Sequence, residues 1–144
     1  MSKAEIKQRA ELLSRFFDQA PMKATFGMTL VFDEEGDAHF EMPHQEDFQH
    51  AMRDTHGGVI ATLLDNAGWF TAATRYDHWV NTAEMTVRLH EPANREDLTA
   101  HGQIIRAGKR ICVASMEVRS VSGRLIATGT GTFVVSSIPI KLKD

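Results

Sequence analysis

The chain reads as an α+β fold, a curved antiparallel sheet wrapped around one long central helix. Three observations predict it. Residues 57–74 are apolar over a helical length in mid-chain, strand-like segments stand before and after them, and polar turn clusters separate those segments. With 144 residues and no repeat, linker or low-complexity tract, one domain over 1–144 with a short leading helix is expected.

The elements follow in order. Over Lys3–Asp18, Ile6, Ala10, Leu13 and Phe17 recur at helical spacing with charges elsewhere, and Pro21 favours a stop soon after. Met28–Phe32 and Ala38–Met42 read as strands around the turn Asp33-Glu34-Glu35-Gly36-Asp37, and Pro43–Thr55 as irregular. Gly57–Thr74 is apolar on nearly every side, which predicts a buried helix, and Gly68 with Ala61, Ala67 and Ala72 permits a close approach to a neighbour. Ala83, Met85, Val87 and Leu89 alternate with Thr82, Glu84, Thr86, Arg88 and His90 as in a half-buried strand. Pro92–Asp97 is a turn and Leu98–Arg106 a strand. Ala107-Gly108-Lys109 is a tight connection, and Ile111–Ser120 with Leu125–Ser136 makes a hairpin around Ser122-Gly123.

Composition excludes several classes. Sixteen Lys and Arg against 19 Asp and Glu give a net charge of −3, without the basic excess a nucleic-acid partner requires. The 42% hydrophobic and 24% charged shares are those of a soluble globular domain. The single Cys112 has no internal disulfide partner, which fits a reducing cytoplasm. The first 20 residues lack a signal-peptide pattern, and the longest uncharged run, Leu125–Ile140, has 16 residues, short of the roughly 20 of a spanning helix. No membrane association is expected. His44, His50 and His56 are spaced by six, unlike ligands on one helix face, so a metal site is not expected there. Cys112, in a strand-like run with no neighbouring base, reads as a structural thiol.

Two features of the central segment call for chemistry. Gly57-Gly58 opens the buried helix, either as a plain turn or as side-chain-free amides that could hold an oxyanion. Asp65 lies within the apolar helix, where a carboxylate must be paired, change its pKa, reach a rim, or serve as base or nucleophile. Thr62 and Asn66 are its local candidate donors. Gly57 and Asp65 are about 12 Å apart along one helix. Reacting groups must come within about 3–3.5 Å, so both features serve one reaction only if they come from two chains. A two-fold dimer with antiparallel helices, alone or as a dimer of dimers, would arrange this twice.

His56-Gly57-Gly58, six residues and then Asp65 resembles the signature of the hotdog-fold thioesterases, in their phenylacetyl-CoA (PaaI-like) branch. The order of elements from about Phe26 to Ser136 is similar as well. The resemblance implies an acyl-CoA thioesterase in which Asp65 activates water or attacks the thioester. It places the Gly57 amide on the oxyanion and Thr82 near the water. His50 falls where many members have Asn to position the carbonyl, and Arg53 where Gly is common. His56 reads as a cap or packing residue beside this machinery. The turn with Arg106, Gly108, Lys109 and Arg110 is expected near the nucleotide of CoA, Gly58 among the substrate-binding residues at the helix start, and Trp69 and Phe70 as walls along the acyl group; no metal or redox cofactor is required. Two other expectations stand beside this one: an acyl-CoA sensor that binds without cleaving, and an acyl-thioester hydratase or dehydratase using His50.

Overall fold

The structure, a computed structural model, describes residues 1–141. The elements are α1 (Lys3–Gln19), α2 (Pro21–Phe26), β1 (Thr29–Phe32), β2 (Ala38–Met42), α3 (Gly57–Ala73), β3 (His78–Leu89), β4 (Leu98–Ala107), β5 (Ile111–Ser120) and β6 (Leu125–Pro139), with one 3₁₀ turn at Glu46–Phe48. The strands form one six-stranded antiparallel sheet in the order β1-β2-β4-β5-β6-β3. Its concave face holds α3, as the sequence predicts. Among the described residues, no helix is long and apolar enough to cross a membrane.

Helix α1 opens with a capping box. Ser2 Oγ accepts from the Glu5 N–H at 3.2 Å, and Glu5 Oε2 accepts from the Ser2 N–H at 2.7 Å. Ala10, Leu13 and Phe17 are buried, and the Phe17 ring meets Phe40 and Phe70 edge-on at 5.3 and 5.5 Å. Such pairs add about 0.5–1.5 kcal/mol each beyond the area they bury. An Arg9–Asp77 ion pair ties the other side of α1 to the start of β3. Helix α1 ends before Pro21, but after the single extended residue Ala20 a second helix begins. Pro21 takes the first position of α2, where its missing N–H costs nothing, and Gly27 at φ 66° ends that helix.

The apolar sequence of α3 is matched by its surroundings. Ile60, Leu63, Leu64, Ala67, Phe70, Ala72 and Ala73 are buried, and complete burial of a Leu is worth about 2–3 kcal/mol. The helix is seated by a glycine on the sheet. A Cβ on Gly102 of β4 would lie 2.7 Å from the Ala67 carbonyl carbon and 2.5 Å from the Thr71 hydroxyl. Thr71 also accepts the Ala38 N–H at 2.8 Å, joining the helix to β2. Gly68 answers the expected close approach, since a Cβ there would meet Met116 Sδ and Phe133 Cζ at 2.8 Å.

Strand β3 departs from the alternation read in its sequence. It is an edge strand, and Asn81, Thr82, Ala83 and Glu84 are all exposed. Thr82 pairs with Phe133, but Glu84 pairs with Thr132, so Ala83 is a surplus residue in a β-bulge. Strict alternation would set Thr82 on the face opposite Met85. The bulge puts both on the face that carries Phe133 and looks onto α3.

Candidate active site

Gly58, Thr62, Asp65 and Trp69, about one turn apart, form the side of α3 that is not buried. Asp65 is paired, though not by its helix neighbours. Thr62 Oγ1 donates to the Gly58 carbonyl at 3.0 Å and Asn66 Nδ2 to the Thr62 carbonyl at 2.9 Å. The donor to Asp65 Oδ1 is instead Thr82 Oγ1 across the β3 bulge, at 2.8 Å. One turn further, Trp69 Nε1 donates to the Val80 carbonyl at 2.7 Å, and its ring lies 4.6 Å from that of Trp79. Trp69, Phe70, Phe16, Phe17 and Trp79 line an apolar cleft of about 330 Å³. A groove of about 720 Å³ also lies between α1 and β1, and none of its walls comes from α3.

The two glycines at the head of α3 differ. His56 is the N-cap, and its Nδ1 accepts the Gly58 N–H at 2.8 Å. The Gly58 amide is therefore occupied, while the Gly57 N–H has no hydrogen-bond partner among the described residues. A Cβ on Gly57 would lie 2.7 Å from Leu89 Cδ1.

The loop leading to this helix start is closed by a bridge between Gln49 and Thr55. His50 turns inside it. Its N–H donates to the Asp54 carbonyl at 2.9 Å, and its Nδ1 accepts from the Met52 N–H at 3.1 Å. Arg53 adopts φ 63°, a left-handed conformation that favours glycine. Asp54 braces the loop against a second one. Its carboxylate accepts the backbone N–H groups of Asn94, Arg95 and Thr55 at 2.8–3.0 Å. Burial works against its ionisation, but the three donors outweigh burial and hold the carboxyl below its ordinary value. A lowered carboxyl pKa contributes stability that is complete above the unfolded value, near pH 4, and fades as pH falls through the folded value. Asp54→Ala is therefore expected to lower stability by about 1–3 kcal/mol at pH 7. The gap should shrink in acid, as thermal melts of the two proteins across pH would show.

Arg106, Lys109 and Arg110 stand exposed on the β4–β5 turn, with no ion pair among the described residues. Tyr76, just past the end of α3, donates from its hydroxyl to the Gly108 carbonyl at 2.7 Å. The turn is thus fastened near the end of the helix opposite to Gly57. Burial pushes the Tyr76 hydroxyl up to about 12, with the neighbouring Cys112 adding to it. Cys112 is buried, and burial raises its thiol despite the Tyr76 hydrogen bond and the Arg75 charge, so it serves as packing. His44, His50 and His56 each engage a different local partner: the Gln49 side chain, the Met52 N–H and the Gly58 N–H.

The chain belongs to the thioesterase superfamily, which residues 52–127 match. That segment contains α3 with Asp65, β3 with Thr82, and strands β4 and β5, and the fold is the hotdog fold. Among relatives, human acyl-coenzyme A thioesterase 13 is 29% identical over 108 residues, covering 73% of this chain and 77% of that one. The medium/long-chain acyl-CoA thioesterase YigI of Escherichia coli K12 is 30% identical over 95 residues, covering 56% and 61%. Among solved structures, the E. coli PaaI protein from the phenylacetic acid degradation operon superposes with a TM-score of 0.84. It covers 96% of this chain and 99% of its own at 18% identity, a likeness of fold.

Proposed function

We propose that the protein is an acyl-CoA thioesterase of the PaaI-like branch, a single hotdog domain acting in the cytoplasm on an acyl-CoA to release free acid and CoA. The observation that carries this reading is the Asp65 carboxylate, held at 2.8 Å by the Thr82 hydroxyl on the one open side of a buried helix. A carboxylate so placed can take a proton from water as the water adds to the thioester carbon, or attack that carbon itself. The carbonyl oxygen gains negative charge in that step and needs a donor. The unpartnered Gly57 N–H at a helix start has the right polarity. Collapse of the adduct then breaks the C–S bond, and the thiolate leaves to be protonated as CoA; where Asp65 has attacked, water then hydrolyses the acyl–Asp65 anhydride to free acid and the carboxylate.

The donor has to be the partner subunit's Gly57, since the two residues are about 12 Å apart along one helix. Strand β3 supports this arrangement, because its free edge can pair with the same edge of a second copy and bring two α3 helices together antiparallel. His50 is offered to the thioester carbonyl through Nε2, and His56 fixes the helix start. The cleft beside Trp69 takes the acyl group, and Arg106, Lys109 and Arg110 meet the CoA phosphates, with Gly108 giving the turn its shape. His50 and His56 both use Nδ1 on local backbone N–H groups, which weighs against a hydratase. A sensor would bind acyl-CoA without thiol release.

Subunit mixing tests the shared site. Asp65→Ala and Gly57→Val chains, each inactive alone, should on mixing regain about a quarter of wild-type turnover, from one intact site in each hybrid dimer. No recovery in proven hybrids would place the whole site within one chain. Thr82→Val should lower kcat about tenfold or more with little change in KM, the loss of one hydrogen bond to a charged group. Steady-state kinetics checks this.

A further inference from the structure

A second cluster of chemistry-bearing side chains lies on the sheet face turned away from α3. His39 of β2 and His101 of β4 are directly opposed across the strands, with their rings stacked at 4.3 Å. Asp33, on the β1–β2 turn, completes the group. One ligand atom from each of the three lies within 4.8 Å of the others. The carboxylate is oriented in advance, because Asp33 Oδ1 accepts the Glu35 and Asp37 N–H groups at 2.9 and 3.0 Å. That leaves Oδ2 facing His39 Nε2 at 2.9 Å. His101 Nε2 is buried without a hydrogen-bond partner among the described residues, the nearest carboxylate among them being Asp37 Oδ2 at 3.9 Å. A buried nitrogen left without a partner calls for a ligand.

We propose that Asp33, His39 and His101 form a binding site for a zinc-class divalent cation. Two imidazoles and one carboxylate are donors that such ions take readily, whereas Mg²⁺ and Ca²⁺ seek oxygen ligands. Bonds of about 2.0–2.1 Å in a tetrahedron set the ligand atoms about 3.3 Å apart. The 2.9 Å pair opens slightly to reach this, and the wider separations close through side-chain rotation. Water or the Asp37 carboxylate supplies the fourth position. The bound ion would clamp the β1–β2 turn to β4, remote from Asp65, and the site stands independently of the proposed activity.

The test uses the full chain, stripped with a chelator and titrated with Zn²⁺ by calorimetry. One equivalent should bind per chain, with a rise in Tm and no comparable response to Mg²⁺. His101→Ala and Asp33→Asn should each weaken binding at least tenfold and leave turnover of acyl-CoA unchanged. Nitrogen-15 spectra of the wild-type imidazoles need no variant, and Zn²⁺ should shift His39 and His101. No binding, affinity unchanged in both variants, or shifts confined to the other histidines would each overturn the site.

Discussion

Asp65→Ala and Asp65→Asn are expected to reduce kcat for acyl-CoA hydrolysis by about a thousandfold, within the usual range for removing a general base. KM should change little, because the cleft beside Trp69 and the basic turn, the proposed binding surfaces, are untouched. Asn is the sharper substitution, since its side-chain oxygen can still accept from Thr82 while it can no longer take a proton. Asp65 is only half-buried, so neither variant should change Tm by more than a few degrees, and the loss can be read as chemistry. Thiol release over a panel of aryl, short-chain and medium-chain acyl-CoA esters measures the effect and identifies the preferred acyl group. Undiminished turnover would remove this carboxylate from the reaction.

The second large effect is on folding. Gly102→Ala is expected to cost about 3 kcal/mol and to lower Tm by roughly 10 °C. The added methyl would press into the Ala67 carbonyl group, and backbone cannot step aside as a side chain can. Gly68→Ala should cost less, because the atoms it meets belong to the Met116 and Phe133 side chains rather than to backbone, and the Met116 thioether is flexible. Thermal and denaturant unfolding of the two variants compares them. Ala67 is two residues from Asp65, so displacing the helix also spoils the fit to Thr82. A misplacement of about 1 Å can cost a hundredfold in rate. A Gly102→Ala protein with wild-type Tm would mean that α3 is not seated there.

Most of the architecture could be read from the sequence, because its signals are local. The amphipathic α1, the apolar run of α3 and the alternating strands needed only short windows of residues. Helix α2 was missed because Pro21 reads equally as the end of one helix and the first position of the next. Asp65 and Gly57 could be singled out because a carboxylate and paired glycines are conspicuous in an apolar helix. The donor to Asp65 could not be read from periodicity. Alternation alone turns Thr82 away from the helix, and only the extra residue at Ala83, set by pairing with β6, brings it back. The family resemblance supplied what the pattern could not. The Asp33, His39 and His101 group was invisible for a similar reason. His39 and His101 are 62 positions apart in sequence and become neighbours only through the β2–β4 register.

The open rim of β3 also bears on how the protein is made. Twelve residues of main chain, bonded on one side only among the described residues, are a template for indiscriminate stacking. In the proposed dimer, a newly synthesised copy that has not met its mate would be at its most aggregation-prone, and assembly would be the last stage of folding. Dilution should lower apparent stability as well as turnover, so protein concentration belongs among the controlled variables of any melting experiment.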